Sequence, residues 1–132
     1  MIRIIFYALI LTTSFNTFAQ TQTEINNEAY ADLQKSDKEL NKIYQEVLAT
    51  YKSDSKFISS LKKSQKIWIK FRDAELEMKY PNYREPYDNS IHPMCRANYL
   101  KELTEDRIKQ LQLWLNGIDE SDKCSGSVKV NR

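Results

Sequence analysis

The stretch SQKIWIKFRDAELE, residues 64–77, decides the fold of this chain. Apolar residues recur in it every three or four positions, as on one face of an α-helix, and neither glycine nor proline interrupts it. Gln65 and Arg72 fall on the same face as Trp68, where an amphipathic helix normally carries apolar side chains. Either this face stays exposed to solvent, or other helices supply polar partners for it.

Two further segments show the same helical periodicity. Helices are predicted over about residues 23–52, 56–80 and 94–116, and Gly117 suits the C-terminal cap of the third. Three prolines fall between residues 81 and 93, which predicts a loop there. The predicted fold class is therefore all-α: an antiparallel three-helix bundle with a proline-rich loop between helices two and three.

The first nineteen residues have the layout of a secretory signal peptide. Arg3 precedes an apolar run over residues 4–11, and small residues, Thr17 and Ala19, stand before a cleavage point. A membrane anchor is the alternative, but the run is shorter than the roughly 20 residues that span a bilayer. We expect cleavage near Ala19 and a periplasmic or secreted product with no membrane span.

The expected mature chain is one domain with an almost even charge balance. Without residues 1–19 it carries 19 basic and 18 acidic residues, a net charge of about +1. This balance gives no reason to expect nucleic acid or an anionic membrane as a partner. We expect a helical domain over residues 20–117 and a polar tail over residues 118–132, present as a monomer or a weak dimer.

Two cysteines, Cys95 and Cys124, bear on how the tail is held. In an exported chain a disulfide is the default expectation for a pair of cysteines. We therefore expect a Cys95–Cys124 bond that fixes the tail against the third helix. Two independent free thiols are the alternative.

Each predicted helix carries one charged residue part-way along its apolar stripe: Asp37, Arg72 and Arg107. The economical interpretation is that these three meet in a buried network, since an acid with basic partners is tolerated when its hydrogen bonds are filled. An arginine fork serves two acceptors at once, which suits this role. Removing Arg72 from such a network would cost about 3–5 kcal/mol. The remaining donors and acceptors would be Asn41, Gln65, Asp73 and Thr104.

The residues give little support for catalysis, a metal site or a cofactor. Glu75 and Glu77 lie about 200° apart around a helix, so they do not face one substrate together as glycoside hydrolysis requires. His92 is the only histidine, and it forms no zinc-binding spacing with the two separated cysteines. A Cys95–His92 nucleophile pair is conceivable, but an oxidising compartment argues against it. We predict that the protein is not an enzyme.

Three segments follow recognisable patterns: DKELNKIY (37–44), LKKSQKIWIKFRDAE (61–75) and LTEDRIKQL (103–111). They match D-x-x-L-N-x-x-Y, then L-x-x-x-Q-x-x-W-x-x-x-R-D, then T-x-x-R. In this order they resemble the LprI-type lysozyme-inhibitor family, over about residues 28–115. The resemblance implies a helical, exported bacterial binding protein, and inhibition of lysozyme is the founding activity of that family.

The chain departs from the family pattern at two positions. Many members carry cysteines where this chain has Leu76 and Tyr99. The usual cross-helix disulfide of the family is therefore not expected, and a Cys95–Cys124 bond would replace it.

The leading hypothesis is an exported inhibitor that blocks the cleft of lysozyme or of a related peptidoglycan hydrolase. Such an inhibitor needs an exposed protrusion, and aromatic residues and arginine are the usual interface anchors. The proline-rich loop offers candidates for partner binding: Tyr83, Arg84, Tyr87, Asn89, Ser90 and His92. A plain connector is the alternative for this loop. The alternative function is an envelope module that binds another protein or a cell-wall component.

Overall fold

The computed structural model describes residues 20–81 and 91–131. It contains three long helices, α1 (Gln22–Thr50), α2 (Ser55–Lys79) and α3 (His92–Asn116). Two short parallel strands follow, β1 (Ile118–Asp119) and β2 (Val130–Asn131). The prediction of an all-α fold with three helices is confirmed. The predicted signal peptide and most of the predicted loop, residues 1–19 and 82–90, lie outside the described residues.

Local sequence signals fix where the helices begin and end. The Glu24 N–H donates to Thr21 Oγ1 at 3.2 Å, and the Thr21 N–H donates to the Glu24 carboxylate at 2.7 Å, which is a capping box at the start of α1. The Asp54 carboxylate accepts from the Phe57 N–H at 2.9 Å and caps α2. Gly117 ends α3 with φ at +77°, a conformation that glycine adopts without strain.

The contacts between helices establish their directions. Contacts between α1 and α3 occur in the same order along both helices: Ser36 with Glu105 and Tyr51 with Trp114. Contacts between α2 and α3 occur in opposite order: Gln65 with Arg107 and Glu75 with Tyr99. The first and third helices therefore run in the same direction and the second in the opposite one.

Most of the buried core lies between α1 and α3. One cluster contains residues of these two helices alone: Ala29, Leu33 and Ala97, with Met94 and Leu100 packed on it. The larger cluster adds one buried residue from α2: Leu40, Ile43, Val47, Leu61, Ile108 and Leu111. The whole of α2 buries three side chains, those of Leu61, Gln65 and Leu76. This helix therefore covers one side of a core that α1 and α3 build.

The C-terminal tail folds back onto the end of α3. Ile118 pairs with Val130 between β1 and β2, and the indole Nε1 of Trp114 donates to Ser127 Oγ at 3.0 Å. A side chain at Gly117 would collide with the returning chain at residue 131. The polar tail thus has fixed contacts of its own without a covalent link.

The predicted Cys95–Cys124 disulfide is wrong, because both cysteines are free thiols. Cys95 lies in the first turn of α3, whereas the tail packs around Trp114 in its last turn. At 1.5 Å of rise per residue these positions are about 28 Å apart along the helix. The tail is held at the far end of α3 and does not bring Cys124 to Cys95.

Candidate functional site

A groove of about 270 Å³ opens between α1 and α2. Its walls combine carboxylate, amide, guanidinium and aromatic groups with two aliphatic side chains. The lining residues come from facing stripes of the two helices: Asp37, Leu40, Asn41, Tyr44, Gln65, Trp68, Ile69 and Arg72. The periodic polar positions that the sequence singled out on α1 and α2 therefore line one surface feature, which we call the α1–α2 groove.

Arg72 joins the two helices of this groove. Its Nη1 donates to Asp37 Oδ1 at 3.1 Å, and its Nε and Nη2 each lie 3.3 Å from Asp73 Oδ1. Its guanidinium carbon is 5.4 Å from the ring centroid of Trp68, within the range of a cation–π contact. The Arg72 side chain is 18% exposed and that of Asp37 is 47% exposed. The ion pair therefore lies at the rim of the groove.

Arg107 reaches α2 from α3. Its Nε donates to Gln65 Oε1 and its Nη2 to Ser64 Oγ, both at 3.0 Å, while Nη1 donates to Gln110 Oε1 at 3.1 Å. The guanidinium carbon lies 6.0 Å from the ring centroid of Trp68. Burial lowers the pKa of Arg107 from its ordinary value. Its bond to Gln65 satisfies the carbonyl oxygen of a buried amide.

The structure places the predicted network residues in two clusters. Arg72 holds Asp37 and Asp73, and Arg107 holds Gln65. No bond among the described residues joins Asp37 directly to Arg107. The ring of Trp68 lies within cation–π distance of both guanidinium groups and is what connects the clusters.

Two predicted network residues make neither of these bonds. Asn41 is exposed and lines the α1–α2 groove. Thr104 is fully buried, and its hydroxyl has no hydrogen-bond partner among the described residues. Burying a hydroxyl without a hydrogen-bond partner is unfavourable, so the Thr104 hydroxyl lowers the stability of the core.

The base of the 81–93 loop forms a second candidate site. The Tyr80 carbonyl accepts from Arg96 Nη1 at 2.7 Å. The Tyr80 ring meets the rings of His92 and Tyr99 edge-on, at centroid distances of 5.6 and 6.1 Å. These contacts join Tyr80, the C-terminal cap of α2, to the first two turns of α3. We call this set of four residues the loop base: Tyr80, His92, Arg96 and Tyr99.

Charged groups complete the loop base. The Tyr99 hydroxyl donates to Glu75 Oε2 at 3.1 Å, and Lys79 Nζ lies 3.8 Å from the centroid of the Tyr99 ring. Burial, followed by the bond to Glu75, raises the pKa of Tyr99 above its ordinary value. Burial likewise raises the pKa of Tyr80. Both phenols therefore hold their protons more tightly in the folded protein.

Of the six residues predicted to bind a partner, His92 alone falls in the described part of the chain. The other five lie outside the described residues: Tyr83, Arg84, Tyr87, Asn89 and Ser90. Sequence reasoning missed Tyr80, Arg96 and Tyr99 of the loop base. Aromatic and charged residues in the helical turns on both sides of the prolines are the signal that could have found them.

Within residues 20–81 and 91–131, no three His, Cys, Asp or Glu side chains are grouped so as to hold a metal ion. Of the helices described there, none has both the length and the apolar character needed to cross a membrane.

Two known proteins resemble this chain in sequence over more than half of its length. A protein of Rhizobium meliloti (strain 1021), described as uncharacterized, is 31% identical over 105 residues, which are 71% of this chain and 73% of the relative. The uncharacterized protein YecT of Escherichia coli (strain K12) is 33% identical over 95 residues, 63% of this chain and 57% of the relative. No solved structure matches the chain significantly.

A family model described as "Lysozyme inhibitor LprI" matches residues 15–111. The match includes all of α1 and α2, and α3 as far as Leu111. It thus takes in both walls of the α1–α2 groove, both clusters around Trp68 and the loop base. Since the match extends over well more than half of the sequence, this chain belongs to the LprI lysozyme inhibitor family.

Proposed function

We propose that this protein is an exported inhibitor of lysozyme or of a related peptidoglycan hydrolase. It binds the enzyme and blocks its cleft, and it performs no chemistry of its own. The observation that carries the proposal is the match of residues 15–111 to a family named for lysozyme inhibition.

The 81–93 loop is the proposed contact surface. Two contacts join the residue before the loop to the helix after it: Arg96 Nη1 donates to the Tyr80 carbonyl, and the His92 ring packs edge-on against the Tyr80 ring. A loop whose two ends are fixed loses less conformational entropy when it binds in a cleft. Arg84 and Tyr87 belong to the residue types that most often anchor interfaces.

Lysis of a bacterial cell suspension tests the proposal. The chain from Gln20 onward is titrated against lysozymes of several classes, and the fall in turbidity is followed. We expect inhibition of at least one class that saturates near equimolar protein, with the heat-unfolded chain as the inactive control. No inhibition of any class at a large molar excess would remove the proposal.

The α1–α2 groove favours a second candidate, binding of a cell-wall component or of another envelope protein. Ligand sites combine aromatic walls with a few fixed polar groups, and the groove offers Trp68 and Tyr44 beside the exposed Asn41 and Asp37. Co-sedimentation with purified peptidoglycan tests this candidate. We expect Asn41→Ala together with Tyr44→Ala to release the protein from the pellet, whereas Arg84→Ala with Tyr87→Ala should not.

A further inference from the structure

A second stripe on α2 lies largely outside the contacts with α1 and α3, although its Ser64 accepts a hydrogen bond from Arg107 of α3 at the inner edge. We call it the outer seam; its residues follow one another by four and three positions: Ser60, Ser64, Ile67, Phe71, Ala74 and Met78. Ile67, Phe71 and Met78 are 56%, 52% and 70% exposed, although they are large and apolar. Alternating steps of four and three are the spacing by which one helix packs along another. The core of this molecule uses the opposite face of α2, through Leu61 and Gln65.

The outer seam has the shape as well as the spacing of a helix-packing surface. A shallow hollow of about 520 Å³ lies along its middle. The hollow is bordered by four seam residues, Ser60, Ser64, Ile67 and Phe71, and by one neighbour on each side, Lys63 and Trp68. Small serines beside large apolar residues form a surface that receives side chains from a facing helix.

The charges of α2 indicate which helix would face it. The half of α2 before Phe71 has five lysines and no acidic residue: Lys56, Lys62, Lys63, Lys66 and Lys70. The half after Phe71 has three acidic residues, Asp73, Glu75 and Glu77, and two basic ones, Arg72 and Lys79, so its net charge is negative. Arg72 is already paired with Asp37 and Asp73 within the subunit. An antiparallel copy of the same helix puts the basic half opposite the acidic half, whereas a parallel copy puts like charges together.

We propose that the outer seam binds the outer seam of a second copy of this chain, in an antiparallel two-fold pair. In this arrangement Ile67 faces Phe71 of the partner subunit, and Ser60 faces Met78 of the partner subunit. The most exposed side chain of the seam, that of Met78, thus meets a small one, and the same patch serves both subunits, as a two-fold interface requires. Lys63 then lies beside the acidic half of the partner helix.

The size of the seam sets the strength of the pair. Three large side chains more than half exposed give roughly 300–400 Å² of apolar surface per subunit, which is typical of an interaction patch but small for a permanent interface. The dimer is therefore reversible and dissociates on dilution.

Sedimentation equilibrium of the chain from Gln20 over a wide concentration range tests the pair. We expect reversible dimerisation of the wild type, and at least tenfold weaker dimerisation for Phe71→Glu. The matched control is Leu113→Glu, an equally drastic change at an exposed apolar residue of α3, which should leave dimerisation unchanged. Circular dichroism checks that both variants fold. A wild type that stays monomeric at millimolar concentration, or a Phe71→Glu variant that dimerises normally, would overturn the proposal.

A charge reversal tests the antiparallel direction. Lys63→Glu should weaken the dimer, and so should added salt, while Lys62→Glu makes the same charge change away from the seam and should have a much smaller effect. Equal effects of the two reversals would contradict the arrangement.

The lysines of α2 suggest one competing occupant, an anionic lipid surface. Wild-type protein is therefore also mixed with phosphatidylglycerol vesicles. If it stays monomeric in solution and binds vesicles through Phe71, the seam is a membrane-surface site and the self-pairing proposal is wrong.

Discussion

Arg72 Nη1 and Asp37 Oδ1 lie 3.1 Å apart across the α1–α2 groove, and the aspartate of this pair remains 47% exposed. Water therefore still screens the carboxylate, and the pair does not carry the desolvation cost of a buried one. The same guanidinium covers Trp68, so Arg72 contributes packing as well as charge.

Replacement of Arg72 by alanine should cost about 1–2 kcal/mol of unfolding free energy, from an exposed ion pair and a cation–π contact. This is less than the 3–5 kcal/mol expected for a fully buried network. Chemical denaturation of both proteins measures the difference. Lys42→Ala, which removes an exposed pair with Glu39 at 3.6 Å, is the control and should change stability by less than about 0.5 kcal/mol. A loss above 3 kcal/mol for Arg72→Ala would show that the carboxylate is buried in solution.

Thr104→Val should stabilise the protein by about 1 kcal/mol, because it removes a buried hydroxyl that has no partner among the described residues and keeps the shape of the side chain. Thr104→Ser is the matched control: it keeps the hydroxyl, removes a buried methyl group and should destabilise by about 1 kcal/mol. Thermal melts rank the three proteins. If valine lowers the melting temperature, the hydroxyl has a partner such as an internal water molecule.

The loop variant Arg84→Ala/Tyr87→Ala should separate binding from stability. We expect its unfolding free energy to stay within about 0.5 kcal/mol of the wild type, because the sequence predicts both residues in a loop and not in a core helix. Its inhibition of lysozyme should be weaker. Arg72→Ala should behave in the opposite way, with a lower unfolding free energy and unchanged affinity for lysozyme. The result that contradicts this is a normal melt with lost inhibition for Arg72→Ala, which would make the groove the contact surface.

The loop base predicts a loss of stability in alkali. Tyr99 has a raised pKa in the folded state, so the folded protein binds this proton more tightly than the unfolded chain does. Its contribution is complete below the ordinary tyrosine pKa of about 10 and is lost as the pH rises through the folded-state value. Melting temperatures between about pH 8 and 11 should fall less steeply for Tyr99→Phe than for the wild type. Tyr30→Phe, at an exposed tyrosine of α1, is the matched comparison, because it removes a phenol hydroxyl outside the loop base.

Both cysteines should react as thiols without prior reduction. The exposed Cys124 should be alkylated quickly and the half-buried Cys95 more slowly, since access to the sulfur limits the reaction. Intact mass after alkylation of protein prepared from the periplasm counts the modified sites. If neither cysteine is alkylated until a reductant is added, Cys95 and Cys124 form a disulfide and the prediction of free thiols is wrong.

The helices were predictable because each carries its own periodic pattern and its own end signals. The predicted bounds of α2, residues 56–80, differ from Ser55–Lys79 by one residue at each end. The capping aspartate at position 54 sets where α2 begins, and the absence of glycine and proline lets the helix continue without a break. Gly117 was likewise predictable as the end of α3.

Contacts between distant residues were predicted less well. Asp37 and Arg72 were expected to share a network with Arg107, but helical periodicity gives only the face on which a residue lies. It does not give how deeply that face is buried, or that Trp68 lies between the two guanidinium groups. The expected disulfide failed for a related reason: compartment and cysteine number favour a bond, but the path of the tail decides whether the two sulfurs meet.

The pairing of α1 with α3 has a consequence for how the chain folds. The end of α1 at Thr50 and the start of α3 at His92 are about forty residues apart, so the main core forms only after a long loop has closed. The helix between them adds Leu61 and Leu76 to a two-helix unit that already has buried contacts of its own. Partial opening should therefore release α2 first, and its backbone amides should exchange with solvent while those at the α1–α3 contact remain protected.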